Sequence, residues 1–353
     1  MKINKYKLNE IFIFLFIYLI IDFNYKNSAK KVGVIGLSHS QNVGNNLLKF
    51  AMFIKLSELG YSPYIIGSRF RAHNISFISN VVRLKLIKNH SEINENDFDI
   101  LMVNSDQTWR KWAEDFYDIA FLKFAEKWKK PKFVYGASTG KYKWVFSKED
   151  EEIAKFLLKD FTGISVREKN LIELIELHLG FKSILVLDPT LLIDKKHYLN
   201  LIKDFKSELI KQTNNDEYIF VYILKKRKII DKYLQFIKKH LKIEIYYLTI
   251  FHPNQVKEFL FGIINSKAVI TDSFHGTVFS IIFKKPFISY ATDDDPRFNS
   301  LFSILNIQNR TFKKNSFPPI SLLNQDVIIN ERKLRTLKLE SIRFLKKNLN
   351  YGP

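Results

Sequence analysis

At 353 residues the chain is too long for one ordinary core and has the size of two α/β domains. It contains no cysteine, which excludes disulfides, thiolate catalysis and cysteine-ligated zinc or iron–sulfur sites. The formal charge of +20 points either to anionic partners or to a codon bias that inflates lysine, and the basic residues are dispersed without a nucleic-acid docking motif.

Ile11 to Ile21 is an unbroken apolar run with Lys2, Lys5 and Lys7 before it and Lys26, Lys30 and Lys31 after it. A spanning helix needs about 20 apolar residues, so the run is short for one. It has the length of a signal-peptide core, but Glu10 interrupts the basic start and Asn27-Ser28-Ala29 is a poor cleavage site. An interfacial helix, held by phenylalanines and flanking lysines, is expected ahead of a helix packed on the first domain or a cleaved signal.

Beyond it, apolar runs alternate with helical spacing. Strands are predicted at Lys31–Leu37, Tyr64–Ile66, Phe98–Val103, Phe133–Ala137, Gly163–Val166 and Ile184–Leu187. Helices are predicted at Asn45–Leu59, Glu149–Lys159 and Leu171–Leu179. After the polar stretch 211–217 a second set follows, with strands at Tyr218–Ile223, Ile243–Leu248, Ala268–Thr271 and Pro286–Tyr290. Its helices are Ile229–Leu241, Val256–Ile264, Gly276–Phe283 and the basic amphipathic segment Ile328–Leu349, which is free to cross back to the first lobe. This alternation predicts parallel βαβ units in two doubly wound, Rossmann-like lobes. The expected division is an apolar segment 1–30, a lobe 31–200 and a lobe 201–353, meeting near residues 190–215. A ligand is expected in the cleft between them, at the carboxyl ends of the strands.

Four loops after predicted strands carry polar residues beyond what a turn requires. In residues 38–46, Asn42, Gly44 and Asn45 open a helix, where free N–H groups suit an anion; a plain cap by Asn45 is the competing reading. Asp106, directly after an apolar strand, has the place of a general base and equally that of an Asx turn. Arg167, at a strand end, suits a phosphate or carboxylate clamp or a pair with a neighbouring acid. Asp272, Ser273, His275 and Gly276 put a carboxylate, a hydroxyl and an imidazole at a helix start, and His275 is as readily structural as functional. Ser138, in the loop after Phe133–Ala137, joins Asn42, Gly44, Asn45, Ser273 and Gly276 as an expected substrate-binding residue. No nucleophile elbow, Walker loop or zinc helix is present, and the histidines lack ligand-like spacing, so no metal or cofactor is expected.

Read in order, the segments FDILMVNSDQTW, VYGASTG, ISVREK, LDPTLLID, KAVITDSFHGTVFS and RFNSLFSILNIQNR resemble the polysaccharide pyruvyl transferase family, over about residues 32–312. The resemblance implies a GT-B-like pair of lobes with the site between them and no required metal. It implies phosphoenolpyruvate as donor and a sugar of a cell-surface glycan, or a lipid-linked sugar, as acceptor. By position, Arg167 matches the donor-binding arginine and His275 the histidine set against the donor. Enzymes of the family with established activity often carry an arginine two residues before that histidine, where this chain has Ser273.

On that resemblance His275 is expected as general acid, Asp106 as acceptor of the sugar hydroxyl's proton, and Asp272 as orienter of the imidazole or a helix cap. A cytoplasmic enzyme at the inner face of an anionic membrane follows from the donor's location. The Ser273 departure favours two alternatives, a nucleotide-sugar-dependent GT-B glycosyltransferase and a non-catalytic glycan-assembly protein.

Overall fold

A computed structural model describes residues 29–350 apart from 38–41, 69–79, 112–114, 208–216, 250–251, 253, 292–294 and 313–315. The apolar run Ile11–Ile21 and part of the expected lobe junction lie outside the described residues. The first sheet contains β1 (Lys31–Ile35), β2 (Ser62–Ser68), β3 (Leu84–Ile87), β4 (Ile100–Val103), β5 (Lys132–Ala137), β6 (Gly163–Val166) and β7 (Ile184–Leu185). Its seven strands run in the order β3-β2-β1-β4-β5-β6-β7, each pair parallel. The helices of this half are α1 (Val43–Glu58), α2 (Phe116–Phe121), α3 (Lys148–Leu158), α4 (Lys169–Leu179) and α5 (Lys195–Ile202).

The second sheet is β8 (Tyr218–Tyr222), β9 (Glu244–Tyr247), β10 (Ala268–Thr271) and β11 (Phe287–Ser289), parallel throughout in the order β11-β10-β8-β9. With it come α6 (Lys228–Leu241), α7 (Gln255–Asn265), α8 (Phe274–Ile282), α9 (Pro296–Leu305) and α10 (Glu331–Leu349). Both strand orders reverse beside their first strand, β1 or β8. Crevices therefore open at the carboxyl ends of β1/β4 and β8/β10.

One apolar core runs through both halves. Leu47, Phe50 and Ala51 of α1 share it with Phe259 of α7 and Val278 and Phe279 of α8. Helix α10 returns to the first sheet, where Phe344 meets Phe133 and Tyr135 at 6.1 and 6.2 Å between ring centroids. Its Ser341 Oγ accepts from the Leu187 N–H at 2.9 Å. Gly163 lets α10 approach β6: a Cβ there would lie 2.6 Å from Asn348 Oδ1. Among the described residues no helix is long and apolar enough to cross a membrane.

Two helix starts differ from the sequence expectation by two residues, and both differences matter for the site. Asn42 caps α1, accepting from the Gly44 N–H at 2.8 Å, so Gly44 and Asn45 lie in its first turn. Ser273 caps α8, accepting from the Gly276 N–H at 3.2 Å, so His275 is inside the helix and not in the preceding loop. Among the described residues, the strands and α-helices not expected are β3, α2, α5 and α9. β3 is short and only partly buried, and α2 spans six residues, too few to display a 3.6 period.

Candidate active site

Asp106 follows β4 with φ +97°, a left-handed backbone that non-glycine residues seldom adopt and that marks local strain. The turn aims its carboxylate back across the first sheet. Oδ1 accepts from the Gln107 N–H at 2.9 Å and lies 3.3 Å from Arg167 Nη2, while Oδ2 accepts from Asn45 Nδ2 at 3.1 Å. Burial works against its charge, yet Arg167, His275, Arg297 and the Asn45 contact together hold the carboxyl below its usual range.

Arg167, at the end of β6, sits between two carboxylates. Its Nη1 binds Asp188 Oδ2 and its Nη2 reaches Asp106. Asp188 is itself fixed, its Oδ1 accepting from the Thr190 N–H at 3.0 Å and the Thr190 hydroxyl at 2.6 Å. Its Oδ2 also faces His275 Nε2 at 3.5 Å. Despite burial, His275 and Arg167 keep the Asp188 carboxyl well below the usual carboxylate range. The result is a charge chain, Asp106–Arg167–Asp188–His275, that joins the first sheet to α8 of the second half.

The imidazole is fixed from the other side by an absence. A Cβ on Gly44 would fall 2.1 Å from His275 Nδ1, so the first turn of α1 packs directly on the ring. The Gly44 N–H, expected to be free for an anion, is taken by the Asn42 cap, and the Gly276 N–H is taken by the Ser273 cap. Asp272 is not beside the imidazole: it accepts from the Leu224 N–H at 2.6 Å and the Lys225 N–H at 3.1 Å, tying the loop after β8 to the end of β10. Burial raises its pKa. The carboxylate that faces the imidazole is that of Asp188. Ser138 is fully buried and donates to Glu168, away from the cleft wall. Burial also raises the Glu168 carboxyl.

A cavity of about 460 Å³ opens in front of this chain, walled by loops of both halves. Asn42, Asp106, Asp272, Ser273 and His275 line it, whereas Arg167 and Asn45 act from behind through Asp106. Its wall carries Arg110, Lys141, Lys225, Arg227 and Arg297 against three carboxylates, a surplus of positive charge.

Arg297, in the first turn of α9, is the main residue that sequence reasoning missed. Its Nε and Nη2 bind Asp295 at 2.9 and 2.6 Å, and its guanidinium lies 5.2 Å from the centre of the Phe274 ring. Turned with its oxygen inward, the Gln107 amide accepts from Arg297 Nη1 and Nη2 at 3.2 and 3.0 Å. The signal was the Asp295-Pro296 pair, a helix-start signature directly before the arginine. Lys49, one turn beyond Asn45 on α1, is buried behind Asp106. Among the described residues no group of three or more histidine or carboxylate side chains is placed to hold a metal ion.

Two parallel-sheet halves with a polar cleft at their strand ends place the molecule in the GT-B-like class, and solved structures agree. The UDP-GlcNAc 2-epimerase of Neisseria meningitidis bound to UDP-GlcNAc is similar at TM-score 0.55 and 11% identity, over 92% of this chain and 94% of that one. The UDP-N-acetylglucosamine 2-epimerase of Rickettsia bellii is similar at 0.55 and 11%, over 92% and 97%. That of Methanocaldococcus jannaschii, in complex with UDP-GlcNAc and UDP, gives 0.51 and 14% over 91% and 100%. The description of the polysaccharide pyruvyl transferase family matches residues 42–294, and the chain belongs to that family, a family of transferases. No curated protein matches it.

Proposed function

We propose that the protein transfers pyruvate from phosphoenolpyruvate to a sugar of a cell-surface glycan, forming a ketal. The observation that carries this reading is the charge chain from Asp106 to His275 behind a cleft wall richer in cations than in carboxylates. Such a wall suits a donor bearing phosphate and carboxylate together.

In this scheme His275 delivers a proton to the donor's methylene carbon, making it a methyl group and leaving C2 cation-like. A sugar hydroxyl adds to C2 and gives its proton to Asp106. A second hydroxyl then attacks C2 as the C2–O bond to phosphate breaks, and its proton leaves with the phosphate. Asp188 stabilises the protonated imidazole in the same way that it balances Arg167. Arg297 takes the donor-binding part for which Ser273 has no charge, since its guanidinium lies against Phe274, the residue between Ser273 and His275. Arg167 contributes by holding Asp106 and Asp188 charged.

The site works at the inner face of the membrane, with the segment 1–30 as an interfacial anchor and a glycan or lipid-linked sugar as acceptor. A nucleotide-sugar glycosyltransferase is the second reading, favoured by neighbours solved with UDP or UDP-GlcNAc. Phosphate release from phosphoenolpyruvate with a panel of glycan acceptors tests the proposal. His275→Ala should lose at least about 100-fold in turnover, the scale for a positioned general acid. Unchanged release in a folded variant would remove His275 from the chemistry.

A further inference from the structure

Helix α6 and its flanks carry a concentration of charge that a chain-wide lysine bias does not explain. From Lys225 to Lys242 there are eight lysines and arginines and one acid, Asp231. Lys228, Lys232, Gln235 and Lys239 are all exposed and spaced four, three and four residues apart, which puts them in one row along the helix. The opposite face, Ile230, Tyr233, Leu234 and Ile237, is buried on the second sheet.

Phenylalanines flank the basic row. Phe236 is 37% exposed and Phe317 is 39% exposed, large values for rings of this kind. Their centroids are 5.8 Å apart, and Phe317 lies 5.2 Å from Tyr233 beneath, so the pair stands on the core as a fixed ridge. The helix is about 21 Å long at 1.5 Å per residue. It starts at the cleft, since Lys225 and Arg227 line the cavity.

We infer that this face of the second half, the lysine row of α6 with the Phe236–Phe317 ridge, docks on an anionic lipid surface. Lysines hold the headgroup phosphates while their stems and the two rings enter the boundary of the acyl region. Docking this way sets the cleft mouth, marked by Arg227, beside the membrane at one end of the helix. The inference stands apart from the catalytic reading and from the N-terminal segment, because it rests on folded residues of the second half alone.

The test uses full-length protein and sedimentation with vesicles of neutral phosphatidylcholine, with or without about one third phosphatidylglycerol. Partitioning should depend on the anionic lipid and fall with added salt. Lys232→Gln/Lys239→Gln should lower it by about tenfold or more, since each lysine contributes roughly fivefold near such a surface. Phe236→Ser/Phe317→Ser should lower it severalfold without changing its salt dependence. Any contribution of residues 1–28 is common to all variants and leaves these ratios unaffected. Partitioning that the folded variants do not alter would overturn the inference. So would tighter binding of the same face to single-stranded DNA than to the anionic vesicles.

Discussion

Gly44 and His275 are in direct contact across the two halves, the glycine leaving the space that the imidazole occupies. Only hydrogen on that Cα fits, since a methyl carbon 2.1 Å from Nδ1 overlaps the ring. Gly44→Ala should leave the α1 helix formed, as alanine is the better helix residue, but push the imidazole off Asp188. The expected outcome is a turnover loss of about tenfold or more with donor affinity changed little. Steady-state kinetics on the folded variant check it; unchanged turnover would mean that the ring position is not critical.

Arg167 is enclosed by Asp106 and Asp188, and removing it leaves two mostly buried carboxylates without their shared cation. Arg167→Ala should therefore destabilise the protein by about 3–5 kcal/mol, the usual cost of breaking a buried pair. Arg167→Ala/Asp188→Asn should recover part of that loss, because one of the two stranded charges is gone. Denaturant unfolding of both variants and of Asp188→Asn alone checks this; a double-variant loss equal to the sum of the two single losses would show that the two residues are not coupled.

Burial pushes the Lys49 ammonium down to about 8, against a smaller opposing pull from Asp106. The unfolded chain then binds this proton more tightly than the folded one between pH about 8 and about 10.4, so the penalty is complete below that window and relieved as pH rises through it. Lys49→Met should raise the unfolding midpoint at neutral pH by roughly a few °C, with the gain shrinking toward pH 10. Thermal scans across that range decide it. A midpoint lowered equally at both ends would mean that Lys49 serves as packing.

The alternation of strands and helices is plain in the sequence because most strands of both sheets are short apolar runs, as in Ile100–Val103 and Ala268–Thr271. Parallel sheets offer their carboxyl ends to ligands, which is why Asp106, Arg167 and His275 are readable as candidates from the sequence. Their pairings are not readable. Asp188 looks like a strand stop before proline, and its role depends on Arg167 and His275 arriving from β6 and α8. Arg297 is hidden for a related reason: α9 begins just after a loop, and its distance to Phe274 is a property of the folded chain. Asp272 misleads because it neighbours His275 in sequence while its carboxylate turns to the β8 loop.

Titration of phosphoenolpyruvate into the wild-type protein and Arg297→Met tests the central claim most directly. Wild type should bind the donor with a Kd between about 1 μM and 1 mM, a common range for enzyme substrates. Arg297→Met should bind it about tenfold or more weakly while remaining folded, the scale of one lost charge-assisted contact. UDP-GlcNAc should neither bind comparably nor displace the donor. A wild-type protein that ignores phosphoenolpyruvate and binds UDP-GlcNAc in the cleft would contradict the account.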